Sequence, residues 1–296
     1  MLQIIPGEVK TAELHAYLLG AVAPRPICFA STVNAEGQPN LSPFSFFNVF
    51  GSNPPTLVFS PSRRVRDNSI KHTLENIYAT REVVINVVTY AMVQQASLSS
   101  CEYPPGVSEF EKAGFTALPS EKVKPPRVKE SPVQMECVVR QVIETGQDGG
   151  AGNLVICEPV LLHINEAILH ENGPIDPHKI DLVARMGGDY YCRASGTAVF
   201  EVPKPNTRLG IGVDALPAAI RNSHILTGNN LGMLGNVHEM PAVDPAFEDE
   251  QLKNIIQYYS ITPEEMEQEL HRYARQLLEA GRVREAWQVL LTAVGS

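Results

Sequence analysis

Two short stretches carry residue types that could do chemistry. In Asn40-Leu41-Ser42-Pro43-Phe44-Ser45-Phe46-Phe47-Asn48-Val49-Phe50, small hydroxyls alternate with aromatics around a proline, directly after a turn signal. A bound conjugated ring needs this mixture, with apolar surface for its faces and short donors or backbone N–H groups for its polar edge. The same aromatics equally suit a core strand, because Phe is most often buried. The second stretch is Ser60-Pro61-Ser62-Arg63-Arg64-Val65-Arg66, followed by Lys71-His72-Thr73-Leu74-Glu75-Asn76. Hydroxyls and guanidinium groups ahead of a helix, with Lys71 and Thr73 at its N-terminal end, suit a phosphate. The alternative for this stretch is a solvated basic loop.

Other chemistries find no footing. Asp148-Gly149-Gly150-Ala151-Gly152 and Leu209-Gly210-Ile211-Gly212 match neither GxGxxG nor a P-loop between strand and helix, and read as turn and loop. There is no HExxH, no His paired with Cys at metal-ligand spacing, and no GxSxG, so neither a metal centre nor a hydrolase nucleophile is expected.

The elements that must position these residues are mostly short strands. Ala23-Pro24-Arg25-Pro26 forces an extended path into a buried strand over 27–33. Asn34-Ala35-Glu36-Gly37 reads as a hairpin turn, after which the chain returns through Leu41 to Phe50. Further strands are expected at 56–60 and 83–88, with a helix over 69–80 between them and another over 10–19. In 133–139, Val133, Met135, Cys137 and Val139 alternate with Gln134, Glu136 and Val138, the period of a strand with one packed face. Gly146 to Asn153 then turns the chain into a long run over 154–164. Short strands with tight turns and few intervening helices predict an antiparallel barrel rather than a doubly wound parallel sheet.

Three segments are expected: a β domain over 1–202, an extended Gly/Pro-rich arm over 203–243, and a helical appendage over 244–296. Thr262-Pro263-Glu264-Glu265 reads as a capping box, Met266, Leu270, Tyr273 and Leu277 form one stripe, and Gly281 supplies the stop. A second helix buries Val283, Trp287 and Leu290. The pair resembles one tetratricopeptide-type hairpin, which needs a surface of the barrel or of a partner subunit to cover its apolar face.

A composition of 44% hydrophobic and 19% charged residues is that of a folded chain. The net charge of −9 argues against a nucleic-acid binder. Part of the acidity is local: Asp244, Glu248, Asp249, Glu250, Glu264, Glu265, Glu267 and Glu269 stand against Lys253 alone. No apolar run approaches the ~20 residues of a membrane span, and the N-terminus lacks the pattern of a signal peptide. Five scattered cysteines, none in a CxxC, suit a reducing cytoplasm.

Taken in order, Ala23-Pro24-Arg25-Pro26-Ile27, Ser31-Thr32, Gly37, Asn40 to Phe47, Pro54-Pro55, Ser60, Lys71, Thr73, Asn76 and Asn86 resemble the flavin-reductase-like, FMN-binding split-barrel family. The resemblance covers roughly residues 10–195, and Arg185-Met186-Gly187-Gly188-Asp189-Tyr190-Tyr191 looks like its closing segment. It implies a mainly β fold with peripheral helices, a Greek-key antiparallel split β-barrel, here followed by the helical C-terminal tail. It also implies a homodimer with non-covalent FMN near the subunit interface. Carried onto matching positions, Asn40, Ser42, Pro43, Phe44 and Ser45 would neighbour the ring and ribityl chain, while Ser60, Ser62, Arg63, Lys71 and Thr73 would serve the ribityl and phosphate end. The family commonly has Asp where this chain has His72. The implied activity is an FMN-dependent oxidoreductase that takes hydride transiently from NAD(P)H and passes it to free flavin or another acceptor, with no residue-borne acid or base required. Two alternatives stand beside it: a flavoredoxin-like electron-transfer protein without small-molecule turnover, and a non-catalytic ligand-binding or assembly protein.

Overall fold

A computed structural model describes residues 1–104, 106–205 and 208–294. Asn206 and Thr207 of the expected arm, and the last two residues of the expected appendage, lie outside the described residues. The chain divides into two compact units, Met1–Phe200 and Glu201–Ser296.

The first unit is built on seven antiparallel strands: β1 (Cys28–Val33), β2 (Pro39–Phe44), β3 (Phe47–Ser52), β4 (Pro55–Phe59), β5 (Glu82–Val87), β6 (Val133–Glu144) and β7 (Asn153–Ile164). Their order in the sheet is β2-β1-β5-β6-β7-β4-β3. The two edge strands, β2 and β3, are consecutive in the chain and separated by Ser45 and Phe46 alone. Two residues span at most about 7 Å, so the two edges must meet. The sheet therefore curls into the expected Greek-key split barrel, with its seam at the proposed ring-binding residues.

Local sequence explains most of the strands. The turn before β2 closes with Gly37 at φ +85°, a conformation glycine adopts without strain, and its N–H donates to Asn34 O at 3.0 Å. Val133, Met135, Cys137 and Val139 point into the barrel core together with Cys28, Ala30, Phe44, Phe59 and Ile85. The strand β1 is buried on both faces. Its other face carries Phe29 into a second cluster with Leu41, Val88, Met92 and Phe115, where the Phe29 and Phe115 rings meet edge to face at 5.1 Å. That cluster seats two short helices, α3 (Val93–Leu98) and α4 (Glu109–Ala113), against the outside of the barrel.

Helix α1 spans Thr11–Ala21, close to expectation, and buries none of its residues. Helix α2 begins at His72, three residues later than expected, and runs to Thr80. The delay has a cause: the Ser69 N–H and hydroxyl both donate to Asp67 Oδ1, at 3.0 and 2.6 Å, and this local turn competes with helix. A separate three-stranded sheet pairs Arg25–Pro26 with Leu182–Arg185 and the latter with Tyr191–Ala194.

The second unit differs from the extended arm and separate appendage expected of it. Residues from both segments form α5 (Ala218–Arg221), α6 (Gly228–Gly235), α7 (Glu250–Tyr258), α8 (Pro263–Glu279) and α9 (Val283–Val294) around one core. Leu216, Ile220, Leu226 and Leu234 pack with Leu270, Leu277, Trp287 and Leu290, so the hairpin's apolar stripe is covered by the preceding segment of its own unit. The expected capping box does not form, and the Thr262 N–H donates to Tyr259 O at 3.0 Å. Thr262 and Pro263 start α8 as read, but the Thr262 hydroxyl makes no cap bond; a complete box forms instead at α6, between Thr227 and Asn230. Gly281, at φ +75°, ends α8. No helix among the described residues is long and apolar enough to cross a membrane.

Candidate functional site

The residues after the hairpin turn face three ways. Asn40 is buried and its side chain is fully engaged: Oδ1 accepts from the Thr73 hydroxyl at 2.9 Å, and Nδ2 donates to Glu109 Oε1 at 2.9 Å. Glu109 Oε2 also accepts the Leu41 N–H at 3.0 Å, and Asn76 donates to the Thr32 hydroxyl at 3.0 Å behind them. This network ties β2 to α2 and α4 and so holds the site strand in place. Thr73, expected at the phosphate end, is wholly buried, and its hydroxyl belongs to this network instead. Glu109, 69 residues from Asn40 in sequence, carried no local signal.

Ser42 and Lys71 line a small polar pocket of about 50 Å³ with Asn40, Arg64, His72 and Ser100. Pro43, Phe44 and Ser45 line a larger chamber of about 330 Å³ with Ile27, Ala96, Ser97, Arg185, Asp189 and Tyr191. Ser100 lines both, so the two cavities are neighbours around a shared wall. The Phe44 ring itself sits mainly in the barrel core, 5.2 Å from Phe59. The Lys71 ammonium lies over that ring at 5.1 Å, a cation–π contact that anchors the lysine at the boundary of the two cavities.

The pocket is lined by both signs of charge, Arg64 and Lys71 facing the carboxylates of Glu102 and Glu109. Burial, and after it the nearby Arg64 guanidinium, lower the pKa of Lys71, with Glu102 acting in the opposite sense. Arg64 is held by donating from Nη1 to Ser69 Oγ at 2.9 Å and Ile70 O at 2.7 Å, and from Nε to Glu102 Oε1 at 2.9 Å. Glu102 is also bound by Arg66. Burial works to raise the Glu102 carboxyl, but the hydrogen bonds from Arg64 and Arg66 outweigh it and hold the group below its ordinary value. An anion beside Lys71 would offset the burial and the Arg64 charge that together depress its pKa.

Ser60, Ser62 and Arg63 do not line either cavity. The Ser60 hydroxyl accepts the Asn153 N–H at 3.1 Å. Arg63 donates from Nε to Asn68 Oδ1 at 2.7 Å and from Nη2 to Asn68 O at 3.0 Å, while its backbone pairs with the Gly150–Ala151 turn. The guanidinium that reaches the pocket is its neighbour, Arg64. The backbone of Arg63 is paired to the hairpin turn, whereas the backbone of Arg64 closes a local turn with Asn68 and Ser69.

The far wall of the larger chamber comes from the segment 185–191. Arg25 positions it: its buried guanidinium donates to Leu19 O at 2.6 Å and Val22 O at 2.5 Å at the end of α1, and to Met186 O at 2.9 Å. The Pro-Arg-Pro signal was legible as an extended entry, but its clamp on a distant loop was not.

Comparison with known proteins identifies the family. The family model for the flavin reductase like domain matches residues 20–177, more than half of the 296-residue chain. An uncharacterized protein of Aquifex aeolicus is 36% identical over 201 residues, covering 68% of this chain and 100% of that protein. Nitrilotriacetate monooxygenase component B from Bacillus cereus is 31% identical with a TM-score of 0.63, covering 68% of this chain and 98% of the other. The 2-nitrobenzoate 2-nitroreductase NbaA of Pseudomonas fluorescens is 26% identical with a TM-score of 0.61, covering 74% of this chain and 100% of the other. These matches place the chain in the flavin reductase like family of flavin-binding split-barrel proteins.

Proposed function

We propose that the first unit binds FMN non-covalently and acts as an oxidoreductase that draws hydride from NAD(P)H and delivers it to a free flavin or another acceptor. One observation carries this reading: a chamber of mixed apolar and polar lining and a small polar pocket holding Arg64 and Lys71 share the wall at Ser100, in the order that FMN's ring, ribityl chain and phosphate require. The donor set fits the group. Ile27, Pro43 and Ala96 offer apolar surface to a ring, and Ser45, Ser97 and Ser100 offer short hydroxyls. Ser42, Arg64, Lys71 and His72 offer donors and positive charge to a phosphate. When bound, FMN would supply the redox chemistry. The chain's own part is to bind, to orient and to shield the ring from water. We assign no acid or base to the protein.

The test is the visible spectrum of the purified protein, followed by anaerobic addition of NADH or NADPH. A yellow protein bleached by either is the expected result. Bleaching by dithionite alone would favour an electron carrier without small-molecule turnover, and a colourless protein that takes up no added FMN would overturn the reading. The five free thiols suit the reducing cytoplasm in which we place it.

The reading includes a homodimer. The barrel exposes Val49 at 63% and Phe50 at 69% on the edge strand β3, together with Leu162 on β7, and apolar surface of this kind marks an interaction face. Sedimentation equilibrium should give twice the chain mass, and Val49→Asp with Phe50→Glu should shift it toward the monomer. A monomeric wild-type protein at micromolar concentration would refute the dimer.

A further inference from the structure

Beside the chamber assigned to the ring lies another, of about 400 Å³, walled by Tyr90, Val93, Gln94 and Val183. The two share Ser97, Arg185, Asp189 and Tyr191, so a molecule in one lies directly against the contents of the other. Two guanidinium groups border the new chamber, and their states differ. Arg193 is neutralised: Nε and Nη2 donate to the two Asp181 oxygens at 2.7 and 2.8 Å, and the group stacks on Tyr90 at 3.9 Å.

Arg185 is not. Its guanidinium lies over the Tyr191 ring at 4.6 Å, and Nη2 donates to Gly188 O at 2.8 Å. Among the described residues no carboxylate stands within ion-pair distance of it, Asp189 included. Its cross-strand neighbour is Arg25, whose buried charge is likewise met only by backbone carbonyls. Two adjacent cations stand at the chamber wall with no carboxylate in ion-pair contact, although Asp189 lines the same chamber; burial, and after it Arg185, lower the pKa of Arg25.

We propose that this chamber is a binding subsite for a small aromatic carboxylate, with Arg185 as its anion anchor. The inference rests on the FMN reading for its purpose, since it would hold such a molecule against the flavin ring. Stacking on Tyr191 uses the face of the guanidinium and leaves in-plane N–H groups for a two-point contact with a carboxylate. Val93, Val183 and the Tyr90 ring offer flat apolar surface to the body of the ligand. The volume lies toward the small end of the ~300–1,000 Å³ typical of ligand pockets, which suits one substituted ring better than a dinucleotide.

The experiment titrates FMN-loaded protein with benzoate and with benzamide, which share a ring and differ in charge, and reads the perturbation of flavin absorbance. Benzoate should bind saturably and at least tenfold tighter than benzamide. In Arg185→Ala that preference should collapse to near unity. Arg185→Gln, which keeps a planar donor without the charge, should do the same and guards against a folding failure of the alanine variant. Arg185→Lys should retain part of the preference. Equal binding of the two probes by the wild type, or an undiminished preference in Arg185→Gln, would overturn the proposal. So would a loss in Arg185→Gln of NADH affinity with benzoate unaffected, which would make this a dinucleotide site. Should the protein hold no FMN, calorimetric titration of the same probes tests the anchor separately from the flavin reading.

Discussion

Lys71→Ala is expected to weaken FMN binding by about 30-fold, the equivalent of the ~2 kcal/mol lost with one charge-assisted hydrogen bond. Arg64→Ala should cost a similar factor. Arg63→Ala should change affinity less than about threefold, because its guanidinium is held by Asn68 and lines neither cavity. The three single variants, measured by quenching of flavin fluorescence, separate a phosphate pocket at Lys71 from one at the 146–153 turn. A larger loss in Arg63→Ala than in Arg64→Ala would invert the assignment. The double variant Arg64→Ala/Lys71→Ala should purify without flavin.

The same lysine gives the pH dependence a sign. Its pKa in the free protein is lowered, burial being the main cause, so Lys71 loses its proton at a lower pH than an ordinary lysine. Only the charged form attracts phosphate. FMN affinity is therefore expected to hold steady from neutrality upward and then fall as pH rises through the lowered pKa. Below about pH 6 the phosphate takes up its second proton, and affinity should decline on that side as well. A wild-type alkaline limb that persists in Lys71→Ala would assign it to another group.

Trp287→Ala is expected to destabilise the helical unit by about 3–5 kcal/mol, the usual loss on truncating a large buried aromatic. Trp287 is fully buried among Leu270, Leu277 and Leu290. Its indole N–H has no hydrogen-bond partner among the described residues, so Trp287→Phe forfeits little polar interaction and should cost far less. Urea unfolding followed by far-UV circular dichroism compares them. Because the chain has one tryptophan, wild-type emission reports on the helical unit specifically. A loss below about 1 kcal/mol in the alanine variant would mean that the residue is not at the centre of a packed core.

What the sequence determined by itself was the class of each local element. Alternation in 133–139, the turn at Gly37, the stop at Gly281 and the stripe of α8 are all signals carried by residues within a few positions of one another, where backbone geometry imposes periods of 2 and 3.6. The same locality put Ser42, Pro43, Ser45 and Lys71 forward as candidate site residues, since each sits on or beside an element whose course could be followed, and each lines one of the two cavities. The tertiary structure decided the rest. Which of Arg63 and Arg64 lines the pocket depends on the backbone pairing of Arg63 with a hairpin almost ninety positions away. Glu109, Arg185 and Tyr191 reach the site only because the barrel closes at Ser45–Phe46 and Arg25 clamps the loop after it. The apolar stripe of α8 and α9 showed that a cover was needed, but not that the Gly-rich segment before it would fold to provide one. Contacts of this range follow from chain closure and packing, and no short-range pattern encodes which distant partner fills a given face.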